Sequence, residues 1–100
     1  MPADSAQVQL RNPDAKKKGP RMAKKTYAIV RAAALATLPK SGAGMTLTDF
    51  RAAVSRRLAR TTGWDKAASA SWYSMAIKLD LEARGEIKRV GNAPQRLVRA

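Results

Sequence analysis

Apolar residues recur at helical spacing in three segments of this 100-residue chain, and two short alternating segments follow the last of them. In the first segment, residues 25–38, the apolar side chains Tyr27, Val30, Ala34 and Leu38 lie three or four positions apart. A proline follows directly and restricts the residue before it. The pattern therefore predicts a first helix that ends at this proline.

The second segment predicts a helix over residues 49–60, where a phenylalanine, a valine and a leucine recur every four residues. The preceding Met45–Leu47 alternates between apolar and polar side chains, as a short strand does. Thr48 can accept a hydrogen bond from the first helical turn and is the predicted N-cap.

The third helix is predicted to begin between residues 65 and 69 and to end at residue 84. Its apolar face is expected to consist of Trp72, Met75, Ala76 and Leu79, which follow the spacing i, i+3, i+4, i+7. On this pattern the tryptophan belongs to the core.

After this helix, Gly85 can adopt the left-handed conformation of a helix C′ residue. Residues 86–90 and 95–99 then predict two strands, joined by a polar turn at residues 91–94. The resulting order of helices and strands predicts one α+β domain over residues 25–100, with three helices and a small antiparallel sheet.

Residues 1–24 differ from the rest of the chain, because they contain three prolines, a lysine run and few large apolar side chains. Such a segment cannot bury enough surface to offset its loss of conformational entropy. The sequence therefore predicts a disordered basic N-terminal arm. Met22 is an alternative start that the sequence neither favours nor excludes.

The charge of the chain restricts the possible classes of function more than its apolar pattern does. Twenty Lys and Arg residues face seven Asp and Glu, which gives a net charge of +13. Without Cys or His, disulfides, Cys/His zinc sites and nucleophiles activated by histidine are excluded. The acidic residues show no catalytic or metal-ligand spacing, so neither an enzyme nor a cofactor is expected. No apolar run suits a membrane span or a signal peptide, which predicts a cytoplasmic protein.

Two groups of cations are candidate nucleic-acid contacts. The second helix shows Arg56, Arg57 and Arg60 with no acidic residue nearby in the sequence, and such an unbalanced cluster favours an anionic partner. In the arm, Lys16, Lys17 and Lys18 can neutralise phosphates and release counterions, which gives binding that is sensitive to salt and largely independent of sequence.

Two motifs resemble the winged helix-turn-helix family of DNA-binding domains, and the resemblance covers residues 26–100. Met45–Phe50 is similar to the strand-to-helix entry of small bacterial winged-helix proteins, many of them functionally uncharacterised. Leu79–Ile87 resembles their helix-to-wing exit. The resemblance implies that the third helix enters the major groove, while the wing contacts the flanking backbone or minor groove.

Carried over to this chain, the resemblance implies contacts from exposed residues of the third helix, namely Lys66, Ser69, Ala70, Tyr73, Ser74 and Lys78. The implied wing contacts are Lys88, Arg89, Asn92, Gln95 and Arg96. This helix contains few of the Arg, Asn and Gln side chains that read base edges. We therefore expect the second helix and the arm to supply much of the affinity.

The sequence thus predicts a bacterial DNA-binding protein, either a transcriptional regulator or a nucleoid-associated protein. The alternatives are a winged helix that contacts another protein or a second copy of itself, as in a homodimer, and a binder of structured RNA. No second domain that could hold a small-molecule ligand is evident.

Overall fold

The computed structural model describes residues 6–91 and 96–100. Its elements comprise three helices and five short strands in the described residues. In chain order these are β1 (Gln7–Gln9), β2 (Arg21–Ala23), α1 (Lys24–Thr37), β3 (Met45–Thr46), α2 (Leu47–Ala59), α3 (Ala70–Ala83), β4 (Ile87–Val90) and β5 (Arg96–Arg99). The predicted α+β class and the order of elements from α1 to β5 are confirmed.

Residues 6–24 are folded rather than disordered, so the prediction for the arm is wrong there; residues 1–5 lie outside the described residues. β1 and β2 form an antiparallel hairpin in which Val8 pairs with Met22. Leu10 is 1% exposed and forms a small cluster with Met22 and Ala76 of α3. The few apolar side chains of this segment suffice because α1 and α3 provide a surface for them. A chain that started at Met22 would lack β1 and Leu10.

The second helix begins two residues earlier than predicted. Thr46, not Thr48, is the N-cap, and its Oγ1 accepts a hydrogen bond of 3.1 Å from the backbone N–H of Asp49. Asp49 also lies in the first turn, where a negative charge interacts favourably with the helix dipole.

Strand β5 occupies the centre of the second sheet, in the order β3-β5-β4, and all pairs are antiparallel. Gly85 ends α3 with φ of +78°, as its sequence position predicts. Gly44 precedes β3 with φ of +76°, and a Cβ there would lie 2.7 Å from the carbonyl oxygen of Leu97. Glycine at that position therefore lets the loop approach β5 closely.

The core lies between the three helices and the inner face of this sheet. The predicted apolar face of α3 is largely wrong, because Ile77 and Leu81 are the large side chains that α3 buries. Trp72 is 50% exposed and points away from the core. Met75 and Leu79 share this outward side and are partly exposed.

Candidate nucleic-acid interface

Three arginines of α2 line one groove on the surface. Arg56, Arg57 and Arg60 form one wall of this arginine groove, which encloses about 810 Å³ between α1 and α2. The opposite wall is built mainly from alanines of α1, including Ala32 and Ala36. All three arginines are exposed, and no acidic residue lines the groove. One guanidinium crosses it, because Nη2 of Arg57 donates to the carbonyl oxygen of Ala36 at 3.3 Å.

The third helix takes no part in this groove, because none of the residues that line it belongs to α3. The arginine of α2 that contacts α3 is Arg51, whose Nη2 donates to the hydroxyl of Ser71. The arginine groove lies on the side of α2 that contacts α1. This geometry therefore does not favour a mode in which α3 lies in the major groove of DNA and α2 contacts the phosphates beside it.

Three of the predicted contacts on α3 make contacts within the protein: Ser74 and Lys78 are buried, contrary to the exposed positions that the resemblance implies, and Tyr73 is half-buried. Ser74 is fully buried, and its hydroxyl donates to the carbonyl oxygen of Ser71 at 2.8 Å. Lys78 is buried and forms an ion pair with Glu82 one turn later. Tyr73 packs against the core with its ring 5.2 Å from that of Trp64 and 4.9 Å from that of Trp72.

The remaining predicted contacts of this region lie at the N-terminus of α3. Ser69 is exposed but acts as the N-cap, since its Oγ accepts a 3.2 Å hydrogen bond from the N–H of Trp72. Lys66 is exposed in the preceding turn, and Ala70 is half-buried against the core. Of this group, Lys66 keeps an exposed charge at the surface.

The wing, defined here as strands β4 and β5 with the residues between them, separates the cations of its strands onto two faces. The register pairs Lys88 with Val98 and Val90 with Arg96, so Lys88 and Arg96 share one face. Arg89 lies on the other face and forms an ion pair of 2.9 Å with Glu82 of α3. Asn92 and Gln95, both predicted contacts, lie outside the described residues.

The lysine run lies in the loop of the N-terminal hairpin. Lys16, Lys17 and Lys18 are all exposed. The last two line a hairpin cleft of about 460 Å³ together with Arg11 and Arg21. The sequence does not predict this cleft, because a disordered segment would have no fixed structure there.

No pattern in the sequence predicts the buried polar cluster around Asp80 of α3. This carboxylate is 0% exposed and accepts hydrogen bonds from the N–H of Arg11 at 2.7 Å and the hydroxyl of Tyr27 at 2.6 Å. Nε of Arg84 donates to both carboxylate oxygens at 2.9 and 3.0 Å. Burial and the hydrogen bond to Asp80 raise the pKa of Tyr27 to about 12. Asp80 thus connects the hairpin, α1 and α3.

A family model described as a family of unknown function (DUF6958) matches residues 7–97. The chain belongs to this family. Comparisons with curated proteins and with solved structures gave no match. The matched range includes the N-terminal hairpin, the three helices and the wing as far as residue 97. None of the helices in residues 6–91 and 96–100 is long and apolar enough to cross a membrane.

In this DUF6958 chain three acidic residues form ion pairs with cations of the chain itself. In the described residues, Asp80 forms an ion pair with Arg84, Glu82 with Lys78 and Arg89, and Glu86 with Arg31. The other sixteen of the 20 Lys and Arg residues make no ion pair with a described acidic residue. Most of the positive charge is therefore not neutralised within the described part of the molecule.

Proposed function

We propose that the protein is a winged-helix protein that binds duplex DNA chiefly through the phosphate backbone. The observation that carries this proposal is the arginine groove, where three exposed guanidinium groups lie together and no acidic residue lines the walls. Arginine presents a planar array of donors that suits phosphate oxygens. The short alanine side chains of the opposite wall leave room for a bulky backbone to reach these groups.

The winged-helix assignment is supported by the order of elements and by the central position of β5 in the sheet. It is also supported by Lys88 and Arg96, which share one face of the wing and can add backbone contacts. We place the protein in the bacterial nucleoid, as a regulator or a nucleoid-associated protein.

The expected binding mode is largely independent of base sequence. The outward side of α3 carries Trp72, Met75 and Leu79, none of which forms the bidentate hydrogen bonds that read bases. Affinity then comes from cations that displace the counterions condensed on DNA, so it falls steeply as salt increases.

A salt titration of binding to a 20–30 base-pair duplex tests the proposal, with affinity measured by fluorescence anisotropy. In a plot of log K against log salt, the magnitude of the slope should fall by about 0.9 for each phosphate contact removed. The variant R56E/R57E/R60E should therefore bind more weakly and with a shallower slope. The matched control is K24E/K25E/K40E, which changes the same amount of charge at exposed residues outside the groove.

Two results would contradict the proposal. If the wild-type chain fails to bind duplex DNA even at low salt, DNA binding is wrong; if the two triple variants lose equal affinity, net charge rather than the groove determines binding. A duplex RNA of the same sequence is the third arm of the test. Tighter binding to this RNA would favour the structured-RNA alternative.

A second candidate function, self-association of the chain, is favoured by the outward side of α3. Trp72, Met75 and Leu79 form an uncharged apolar stripe; Trp72 is half-exposed, and Met75 and Leu79 are partly exposed. Two copies could meet there without bringing their cations together. Sedimentation equilibrium should then show a dimer that W72A converts to a monomer, whereas a monomeric wild-type protein at 100 µM (roughly a hundredfold above a micromolar Kd) would rule this function out.

A further inference from the structure

The loop of the N-terminal hairpin brings four cations around one cleft. Arg11 follows β1, Lys17 and Lys18 lie in the loop, and Arg21 begins β2. The base of the cleft is apolar, formed by Leu10 and by Ala83 near the end of α3. No acidic residue is among the residues that line it.

Hydrogen bonds within the hairpin fix its backbone and the guanidinium of Arg21. Nε2 of Gln9 donates to the carbonyl oxygen of Gly19 at 2.6 Å, and its Oε1 accepts from Nε of Arg21 at 3.1 Å. The backbone N–H of Leu10 donates to Pro20 at 3.0 Å. A site whose backbone is already ordered loses less conformational entropy when an anion binds.

Two acidic residues, Asp14 and Asp80, accept hydrogen bonds from backbone groups of the hairpin loop, and neither lines the cleft. Oδ1 of Asp14 accepts the backbone N–H of Lys16 at 3.0 Å, and Asp14 does not line the cleft. Asp80 accepts a hydrogen bond from the backbone N–H of Arg11, and its charge is balanced by Arg84. The cleft therefore presents its positive charge without a competing carboxylate on its walls.

We propose that the hairpin cleft is a binding site for a phosphate group, held by Arg11, Lys17, Lys18 and Arg21. Arginine and lysine donate charge-assisted hydrogen bonds to phosphate oxygens, and four of them match an anion of two or more charges. The phosphate can belong to a nucleic-acid backbone or to a free phosphate compound. This inference rests on the proposed function only in naming DNA as one of these sources.

The test uses the full chain and sodium pyrophosphate at low ionic strength, where screening is weakest. Isothermal titration calorimetry should show one binding event, and ¹⁵N NMR should show shifts at the amides of Arg11 and Gly19. The variant K17E/K18E should lose about tenfold or more in affinity. The matched control K24E/K25E changes the same charge at two exposed residues outside the cleft and should stay within about threefold of wild type.

Equal losses in the two variants, or pyrophosphate binding without shifts at the cleft, would overturn the proposal. Because all four substituted lysines are exposed, circular dichroism should show that both variants fold. The weaker change K17Q/K18Q, which adds no negative charge, should give a smaller loss in the same direction. A loss with K17E/K18E but none with K17Q/K18Q would mean that the added carboxylates repel the anion and that the lysines do not bind it.

Competition with duplex DNA distinguishes the two sources of phosphate. If pyrophosphate displaces DNA and K17E/K18E weakens DNA binding, the cleft holds the DNA backbone. If pyrophosphate binds at the cleft while DNA binding is unchanged in the variant, the ligand is a free phosphate compound. Pyrophosphate binding by a chain that binds no duplex at all would support the cleft and reject the proposed function.

Discussion

Substitution of Asp80 by alanine should destabilise the protein more than any change of a surface charge. Asp80 is completely buried and accepts hydrogen bonds from groups of three elements: the backbone N–H of Arg11, the hydroxyl of Tyr27 and the guanidinium of Arg84. Alanine removes all these acceptors at once. It leaves two donors without a partner inside the protein and Arg84 without its counterion.

The size of the effect follows from burial. Breaking a buried ion pair by removing one partner costs about 3–5 kcal/mol, because the other charge is left uncompensated. The side chain of Arg84 is 28% exposed and can turn partly toward water, which favours the lower half of that range. Each of the two neutral donors left without a partner adds a cost near the lower end of about 1–3 kcal/mol, because Arg11 is exposed and Tyr27 is half-buried. Since small domains have a total stability of about 5–15 kcal/mol, D80A should be marginally folded or unfolded at 37 °C.

Urea unfolding followed by far-ultraviolet circular dichroism measures this loss. Y27F removes a single hydrogen bond to a charged acceptor and should cost about 1.5–3 kcal/mol. The double variant D80A/Y27F should cost less than the sum of the two single variants, because both changes disrupt the same contact. If D80A unfolds within about 1 kcal/mol of the wild-type protein, Asp80 does not hold the hairpin, α1 and α3 together, and the reasoning from burial fails.

Two further results follow from the same region. L10A should lower the free energy of unfolding by about 2–5 kcal/mol because Leu10 is buried between the hairpin and α3; a loss under about 0.5 kcal/mol would mean that the hairpin does not pack there. Since folding raises the pKa of Tyr27 from 10.0 to about 12, its contribution to stability is complete below pH 10 and is lost as the pH rises toward 12. Ultraviolet titration of tyrosinate should show a late step that is absent from Y27F, and a single step near pH 10 in the wild-type protein would contradict the hydrogen bond to Asp80.

The three helices and the second sheet could be predicted because their signals are local. Apolar spacing, the proline after α1 and Gly85 after α3 depend on a few neighbouring residues. The helix face of α3 could not be assigned in the same way, because α3 has two apolar stripes. One contains Trp72 and Leu79 and the other Ile77 and Leu81, and periodicity alone does not tell which of them meets α1 and α2.

The hairpin and the candidate sites depend on contacts between distant parts of the chain. Residues 6–24 look disordered when their own apolar content is considered, yet α3 supplies the partner surface for Leu10 and Met22. Asp80 lies 69 residues beyond Arg11, and no spacing rule connects the two. The sequence shows Arg56, Arg57 and Arg60 as a cluster without acidic neighbours, but only the packing of α1 against α2 shows which groove they line.

The cations that form ion pairs and the cations of the two candidate binding surfaces are different residues. Asp80, Glu82 and Glu86 lie within seven residues, near the end of α3, and neutralise cations that face the interior or the wing. The cations of the arginine groove and the hairpin cleft take no part in those ion pairs. Surface charges outside such pairs contribute little to folding, and reducing a large net charge lowers self-repulsion. Variants that remove the exposed cations should therefore remain folded, so that loss of anion binding in them reports on the binding surface and not on stability.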